Sequence, residues 1–232
     1  MAHPSSHRLG PMKRRTFVQS AVATASIAAL PALSRGAAPM SSPRYDFVIV
    51  GAGTAGLPAA VFASRRGARV LLIDAAEDIG GTLHLALGQV SAAGSRLQLA
   101  RGIQDSPDAH FADVMRLSNG LCDPKVARLT VEQAPATINW LLDAGLQPLP
   151  DHPVRGESIG RDGYSTPRYL WAEDAGRAIL AVIRKELAPE VASGRVTVQL
   201  GTRVSGQLTD AGGAVTGVLA APGARPPQLA GR

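Results

Sequence analysis

Cysteine is nearly absent from this 232-residue chain, in which Cys122 stands alone. One thiol excludes a disulfide framework and a cysteine-built metal cluster, and Cys122 reads as a small buried or half-buried hydrophobe. Histidine is scarce too. Of five, His3 and His7 lie near the N-terminus, and His84, His110 and His152 show no ligand spacing, so no metal is assigned. Long apolar runs are also missing. The best stretch, residues 21–33, is alanine-rich and broken by Pro31, whereas a membrane span needs about 20 strongly apolar residues. The sequence offers no Ser-His-Asp constellation, no convincing acid/base pair of carboxylates and no internal repeat. Glu173 and Asp174 open a helical stretch, where carboxylates favour the positive end of the dipole, and read as structural.

Acidic residues are absent before position 39, and that absence explains the charge. The formal net charge is +6 and the isoelectric point is near 10.2, values that suggest a nucleic-acid binder until they are located. Arg8, Lys13, Arg14, Arg15 and Arg35 are five of the 24 basic residues, which leaves 19 against 18 acids in the rest. The basicity belongs to the leading segment, so no nucleic-acid partner is expected. Lys13-Arg14-Arg15-Thr16-Phe17-Val18, the weak apolar run and the small residues Gly36-Ala37-Ala38 follow the order of a cleavable targeting segment. They resemble a twin-arginine export signal. Residues 1–38 are expected to be that signal and 39–44 a linker, giving a periplasmic or otherwise exported product.

The informative stretch is FVIVGAGTAGLPAA, residues 47–60. Residues 46–50 read as a fully buried parallel strand, being apolar on both faces and rich in β-branched residues. Gly51, Gly53 and Gly56 follow in the G-x-G-x-x-G spacing, then a helix over 55–66 with a Leu57, Val61, Phe62 stripe, stopped by Gly67. A second buried strand, 70–73, ends at Asp74, close to the ~20-residue interval expected for a ribose-binding carboxylate. Each position has a reason: a tight turn at Gly51, close backbone approach at Gly53 and helix–strand packing at Gly56. The helix start, with Thr54 and Ala55, offers free N–H groups to phosphates. A dinucleotide site is expected, with a plain glycine turn as the alternative.

Beyond Asp74 the chain reads as an irregular glycine-rich loop, a short helix of small residues and a polar connection. The order of the dinucleotide motif, Asp74, Gly80-Gly81-Thr82, residues 86–93 and DSPDAHFADVM resembles the FAD-binding domain of the fumarate reductase/succinate dehydrogenase flavoprotein family. Flavocytochrome fumarate reductases and ketosteroid dehydrogenases are its wider relatives. The likeness continues through a two-helix segment over 119–150, GYSTPR, a helix over 174–187, a strand over 196–200, TRV, and a hairpin turning at Asp210-Ala211-Gly212-Gly213. It covers roughly residues 45–219.

The resemblance implies an α/β, Rossmann-like FAD-binding domain of the glutathione-reductase type over 45–220, with a parallel sheet, a helical insertion and a β-hairpin, followed by a disordered tail over 221–232. It implies noncovalent FAD, preferred over NAD, and hydride transfer to or from a C=C bond of an unsaturated acid or ketone. The partners it implies are a small-molecule substrate and an electron-transfer protein. Carried over, Gly51, Gly53, Thr54, Ala55, Gly56 and Asp74 contact the nucleotide. Gly81, Thr82 and Leu83 lie beside the pyrophosphate and flavin, Gly88 and Gln89 face the isoalloxazine, and Val204 meets the adenine. Gln89 departs from the family's second glycine. The covalent-histidine position falls on Thr82, so His84 reads as a surface or packing residue. The family's substrate histidine after G-x-S-x-x-R is Leu170 here, which leaves Arg168 as a weak candidate for a substrate carboxylate, or else a surface arginine. The family's cap and returning strand follow the hairpin. The chain alone is therefore expected to be inactive, with an unclosed sheet exposing apolar edges near Val50, Ile73 and Val198. The alternative is a non-catalytic FAD- or nucleotide-binding module that needs a partner or further sequence.

Overall fold

In the computed structural model the described residues are 44–156 and 163–223, and the segment read as an export signal lies outside them. The chain enters through β1 (Phe47–Val50), turns into α1 (Gly56–Arg65) and returns as β2 (Val70–Ile73). The pair is parallel, with Phe47 opposite Val70 and Val50 opposite Ile73. After a long excursion the chain comes back as β5 (Val196–Gln199), parallel to β2 on its other side, so the sheet order is β1-β2-β5. A parallel sheet joined by a helical crossover is what the two apolar strands around the glycine loop predict.

The central position decides burial. On β2, Val70, Leu72 and Ile73 are buried, whereas on β1 Phe47 and Val50 are 55% and 58% exposed. This corrects the expectation of a buried first strand: β1 is an outer strand, and its apolar pattern has no neighbour on the far edge among the described residues. Val198 is half-buried, while Ile73, expected at an exposed edge, is covered because its strand is flanked on both sides. The core forms where Leu57, Ala60 and Val61 of α1 meet Val70, Leu72 and Val196 of the sheet, together with Ile179, Ile183 and Leu187. The latter three lie on α5 (Ala175–Ala192), which runs five residues beyond the expected helix and continues through Pro189. Arg65 of α1 reaches Glu186 at 2.7 Å and Glu190 at 3.4 Å on α5.

The excursion differs from its reading in two ways. The polar connection DSPDAHFADVM is α3 (Pro107–Leu117), capped by the Ser106 hydroxyl accepting from the Ala109 N–H with Pro107 at the first helical position, a legible start signal. It follows α2 (Arg96–Ala100). The stretch read as two helices is one, α4 (Pro124–Asp143), capped by Asp123. Pro135 does not split it, because the buried stripe Ala127, Val131, Ile138 and Leu141 runs past the proline on one face and tertiary packing outweighs the lost hydrogen bond. A two-residue ladder joins β3 (Val90–Ser91) to β4 (Tyr169–Leu170), which precedes α5. The hairpin β6 (Thr202–Thr209) and β7 (Val215–Pro222) closes as expected at Asp210, whose side chain accepts from the Gly212 and Ala214 N–H groups.

Because Leu72 is fully buried in the central strand, Leu72→Ala should cost roughly 2–5 kcal/mol in urea unfolding. Val215→Thr, on the exposed hairpin, should change stability by less than about 0.5 kcal/mol.

Candidate functional site

The site begins where β1 ends. Gly51 has φ +106° and donates its N–H to Ile73 O at 2.7 Å, a backbone conformation that L side chains rarely adopt. A Cβ on Gly56 would run into the Gly51 carbonyl oxygen, so the helix packs onto the turn only because that position is bare. The start of α1 has no side-chain cap and no acid in its first turn. Among the described residues the N–H groups of Gly53, Thr54, Ala55 and Gly56 have no acceptor. Four free donors at the positive end of a ten-residue helix form an anion-binding surface.

Asp74, at the end of β2, stands beside this turn. Its Oδ2 accepts from the Ala52 N–H at 2.6 Å and its Oδ1 from the Ala76 N–H at 2.8 Å. A carboxylate offers about four acceptor positions, so each oxygen keeps one for a ligand hydroxyl. Gly51, Ile73, Asp74, Arg203 and Val204 line a cleft of about 220 Å³. The hairpin reaches this cleft because the Thr202 N–H donates to Asp74 O at 2.8 Å. Arg203 escaped the sequence reading; its only signal is its place between Thr202 and Val204.

The next loop closes on the first. The Gly80 N–H donates to Ala52 O at 2.7 Å, and a Cβ on Gly81 would lie 3.4 Å from Gly53 Cα. The structure thus gathers Gly51, Gly53, Thr54, Ala55, Gly56, Asp74, Gly81 and Val204, with Thr82 exposed on the same loop. Leu83 turns its side chain into the core, which leaves only its backbone to face a ligand. Gly88 is buried against the first turn of α5, where an added Cβ would meet the Ala175 carbonyl group. The exposed Gln89 is held by the Tyr169 hydroxyl, which donates to its Oε1 at 2.6 Å. His84 is half-exposed and sits 2.8 Å from Ile79 O, as a packing residue does.

Arg168 is not a surface arginine, which corrects that reading, and two carboxylates already hold it. It is fully buried, with Nε and Nη2 each donating to Asp105 at 2.7 Å and Nη1 donating to Asp113. Three of its five N–H donors go to these two carboxylates, which already balance its charge. Gln98, also fully buried, donates to Asp105 Oδ2 at 2.8 Å and to Pro167 O at 2.7 Å, and Ser165 donates to Asp113 through N–H and hydroxyl. Burial pushes the Asp113 carboxyl up, but hydrogen bonds from Ser165, Arg116 and Arg168 outweigh this and hold it well below the usual carboxylate range. Asp105 is held down likewise by Arg168 and Gln98 against the cost of burial.

His110 lies beside this network. Burial, reinforced by the Arg168 charge, lowers its pKa from 6.5 to about 4, so the imidazole is neutral near pH 7. As pH falls from about 6.5 to about 4, the unfolded chain takes up a proton that the folded chain refuses, and the folded state loses stability through that window. His152 is lowered by burial too and acts in the same direction. Urea unfolding at pH 5 should therefore show roughly 2 kcal/mol less stability from His110 than at pH 7.5. His110→Leu should flatten most of that slope.

A family model described as an FAD binding domain matches residues 46–229. The NADH:fumarate oxidoreductase of Klebsiella pneumoniae (strain 342) is 35% identical over 171 residues, 69% of this chain and 18% of that protein. The fumarate reductase (cytochrome) of Shewanella frigidimarina is 30% identical over 187 residues, 80% of this chain and 31% of that protein. The open conformation of a flavocytochrome c3 fumarate reductase superposes with TM-score 0.66 at 25% identity, over 77% of this chain and 30% of that one. The chain thus spans between about a fifth and a third of the length of these relatives.

Proposed function

The chain belongs to the FAD-binding-domain family, and from that premise we propose that it holds the flavin of an oxidoreductase moving hydride to or from a C=C bond of an unsaturated acid or ketone. The observation that carries this is the meeting of an uncapped, acid-free helix start with a half-used carboxylate at the mouth of one cleft. The residues present fit FAD. The four free N–H groups of the glycine loop would take the pyrophosphate, with Gly81 and Thr82 alongside. Asp74 would accept the adenosine ribose hydroxyls on the lone pairs that Ala52 and Ala76 leave open. Val204 and the strand it sits on would wall the adenine, while Gly88 and Gln89 would face the flavin ring. Bound there noncovalently, the flavin supplies two-electron chemistry that no side chain of this protein offers. The protein's part is to hold, orient and desolvate, and an electron-transfer partner would restore the redox state.

Titration of the purified chain with FAD, followed through the flavin's visible absorbance, tests this reading. Asp74→Ala should weaken FAD binding roughly 10- to 100-fold, the loss of charge-assisted hydrogen bonds. A chain that takes NAD and leaves FAD free would overturn the assignment.

We further propose that residues 1–38 are a twin-arginine signal and that the folded domain, residues 45–220, is exported with its cofactor. The paired Arg14-Arg15 before a weakly apolar run supports this. Among the described residues no helix is long and apolar enough to cross a membrane. Changing Arg14 and Arg15 together to lysine should leave unprocessed precursor in the cytoplasm, as read by fractionation and immunoblotting. Normal processing would argue against the signal.

A further inference from the structure

A cavity of about 430 Å³ opens between α3, α4 and β3. Val114, Val126, Val131 and Ala134 form its apolar walls. One end is polar: Ser91 Oγ lies 3.2 Å from His110 Nε2 and 3.3 Å from the Tyr164 hydroxyl. That end adjoins the position assigned to the flavin ring. Ser91 follows Gln89 by two residues, and its ladder partner Tyr169 is the residue that holds the Gln89 amide. The Tyr164 hydroxyl has no shorter partner than Ser91 among the described residues, so its proton can turn to a guest.

The charges around the cavity discriminate between guests. Among its described lining residues the formal charge is that of Asp123, whose Oδ1 already caps α4 by accepting from Lys125 and Val126. The nearby cation, Arg168, lies 5.1 Å from the centre of the Tyr164 ring and is already paired with the carboxylates of Asp105 and Asp113. A carboxylate in this cavity would lose its hydration, find no cation among the described lining residues and face a like charge. A neutral carbonyl needs one donor and apolar walls, and finds both.

We propose that this cavity is the substrate pocket and that it takes a neutral ketone with an apolar body, not a carboxylic acid, the carbonyl oxygen accepting from the Tyr164 hydroxyl with Ser91 behind it. The inference rests on the oxidoreductase reading above and chooses between its two substrate classes. Ser91 fixes the phenol's direction, and the Arg168 guanidinium over the ring holds its plane.

Benzalacetone and trans-cinnamate share one styryl body and differ in ending as a methyl ketone or a carboxylate. Each is titrated calorimetrically into the full 232-residue chain loaded with FAD. The ketone should bind at least tenfold more tightly than the acid. Tyr164→Phe should weaken the ketone roughly three- to tenfold, as expected for one neutral hydrogen bond, with FAD affinity and the circular dichroism spectrum unchanged. Ala134→Trp, which fills the cavity from α4, should abolish ketone binding while FAD remains bound. Equal or tighter binding of cinnamate, a ketone affinity indifferent to either substitution, or no ketone binding by the FAD-loaded chain would each overturn the proposal. If the chain does not retain FAD, the oxidoreductase reading is what fails, and the same pair titrated into the flavin-free chain decides whether the pocket keeps its preference.

Discussion

A guanidinium removed from water between two carboxylates ties the helical excursion to the strand that returns from it. Stripping Arg168, Asp105 and Asp113 of solvent costs several kcal/mol per ion, recovered only when every donor is aimed, so the arrangement tolerates few alternatives. Asp105 precedes α3 and Asp113 lies within it, whereas Arg168 leads directly into β4. The cluster therefore locks the helical excursion to the strand that returns from it. β4 in turn pairs with β3, and Tyr169 holds Gln89. A charge cluster remote from the glycine loop thus fixes Gln89, the far end of the proposed ligand site.

The near end follows from sheet topology. All three parallel strands run toward one edge, where their following loops carry Gly51, Asp74 and Gly201. Ligands in open α/β sheets collect at the carboxyl ends of strands, and here the cleft takes its walls from two of those ends and from the hairpin that begins just past the third. The pieces are cross-tied: Asp74 accepts from Ala52 through its side chain and from Thr202 through its backbone. One residue joins the first turn, the second strand and the hairpin.

Much of this was legible in the sequence, because local chemistry there has one structural solution. A strand, three spaced glycines, a helix and an acid dictate a βαβ unit, and Asp210 followed by Ala211-Gly212-Gly213 dictates a hairpin. What was missed depended on partners distant in the chain. Arg168 looks like any arginine until Asp105 and Asp113, 63 and 55 residues earlier, fold over it. Apolarity marks residues 46–50 as strand but not as the outer strand, since edge or centre is settled by where β5 returns. The two helices expected over 119–150 are one because the packed stripe of α4 spans both sides of Pro135. The α3 start, by contrast, was written plainly in Ser106-Pro107 and passed over as polar linker.

The strand that leads into the glycine loop is an edge strand, held from one side. β1 is hydrogen-bonded only to β2 among the described residues and leaves Phe47 and Val50 largely open. Local opening is cheapest at such an edge, so the loop that would grip the dinucleotide hangs on an edge strand of the sheet. Mass action then ties persistence of the fold to cofactor supply. A ligand that binds only the closed edge, at a hundred times its dissociation constant, adds about 2.7 kcal/mol to the folded state. In that sense a cofactor held by the glycine loop would steady β1, and a chain that has not yet met it would be the form more exposed to proteolysis and edge-to-edge association.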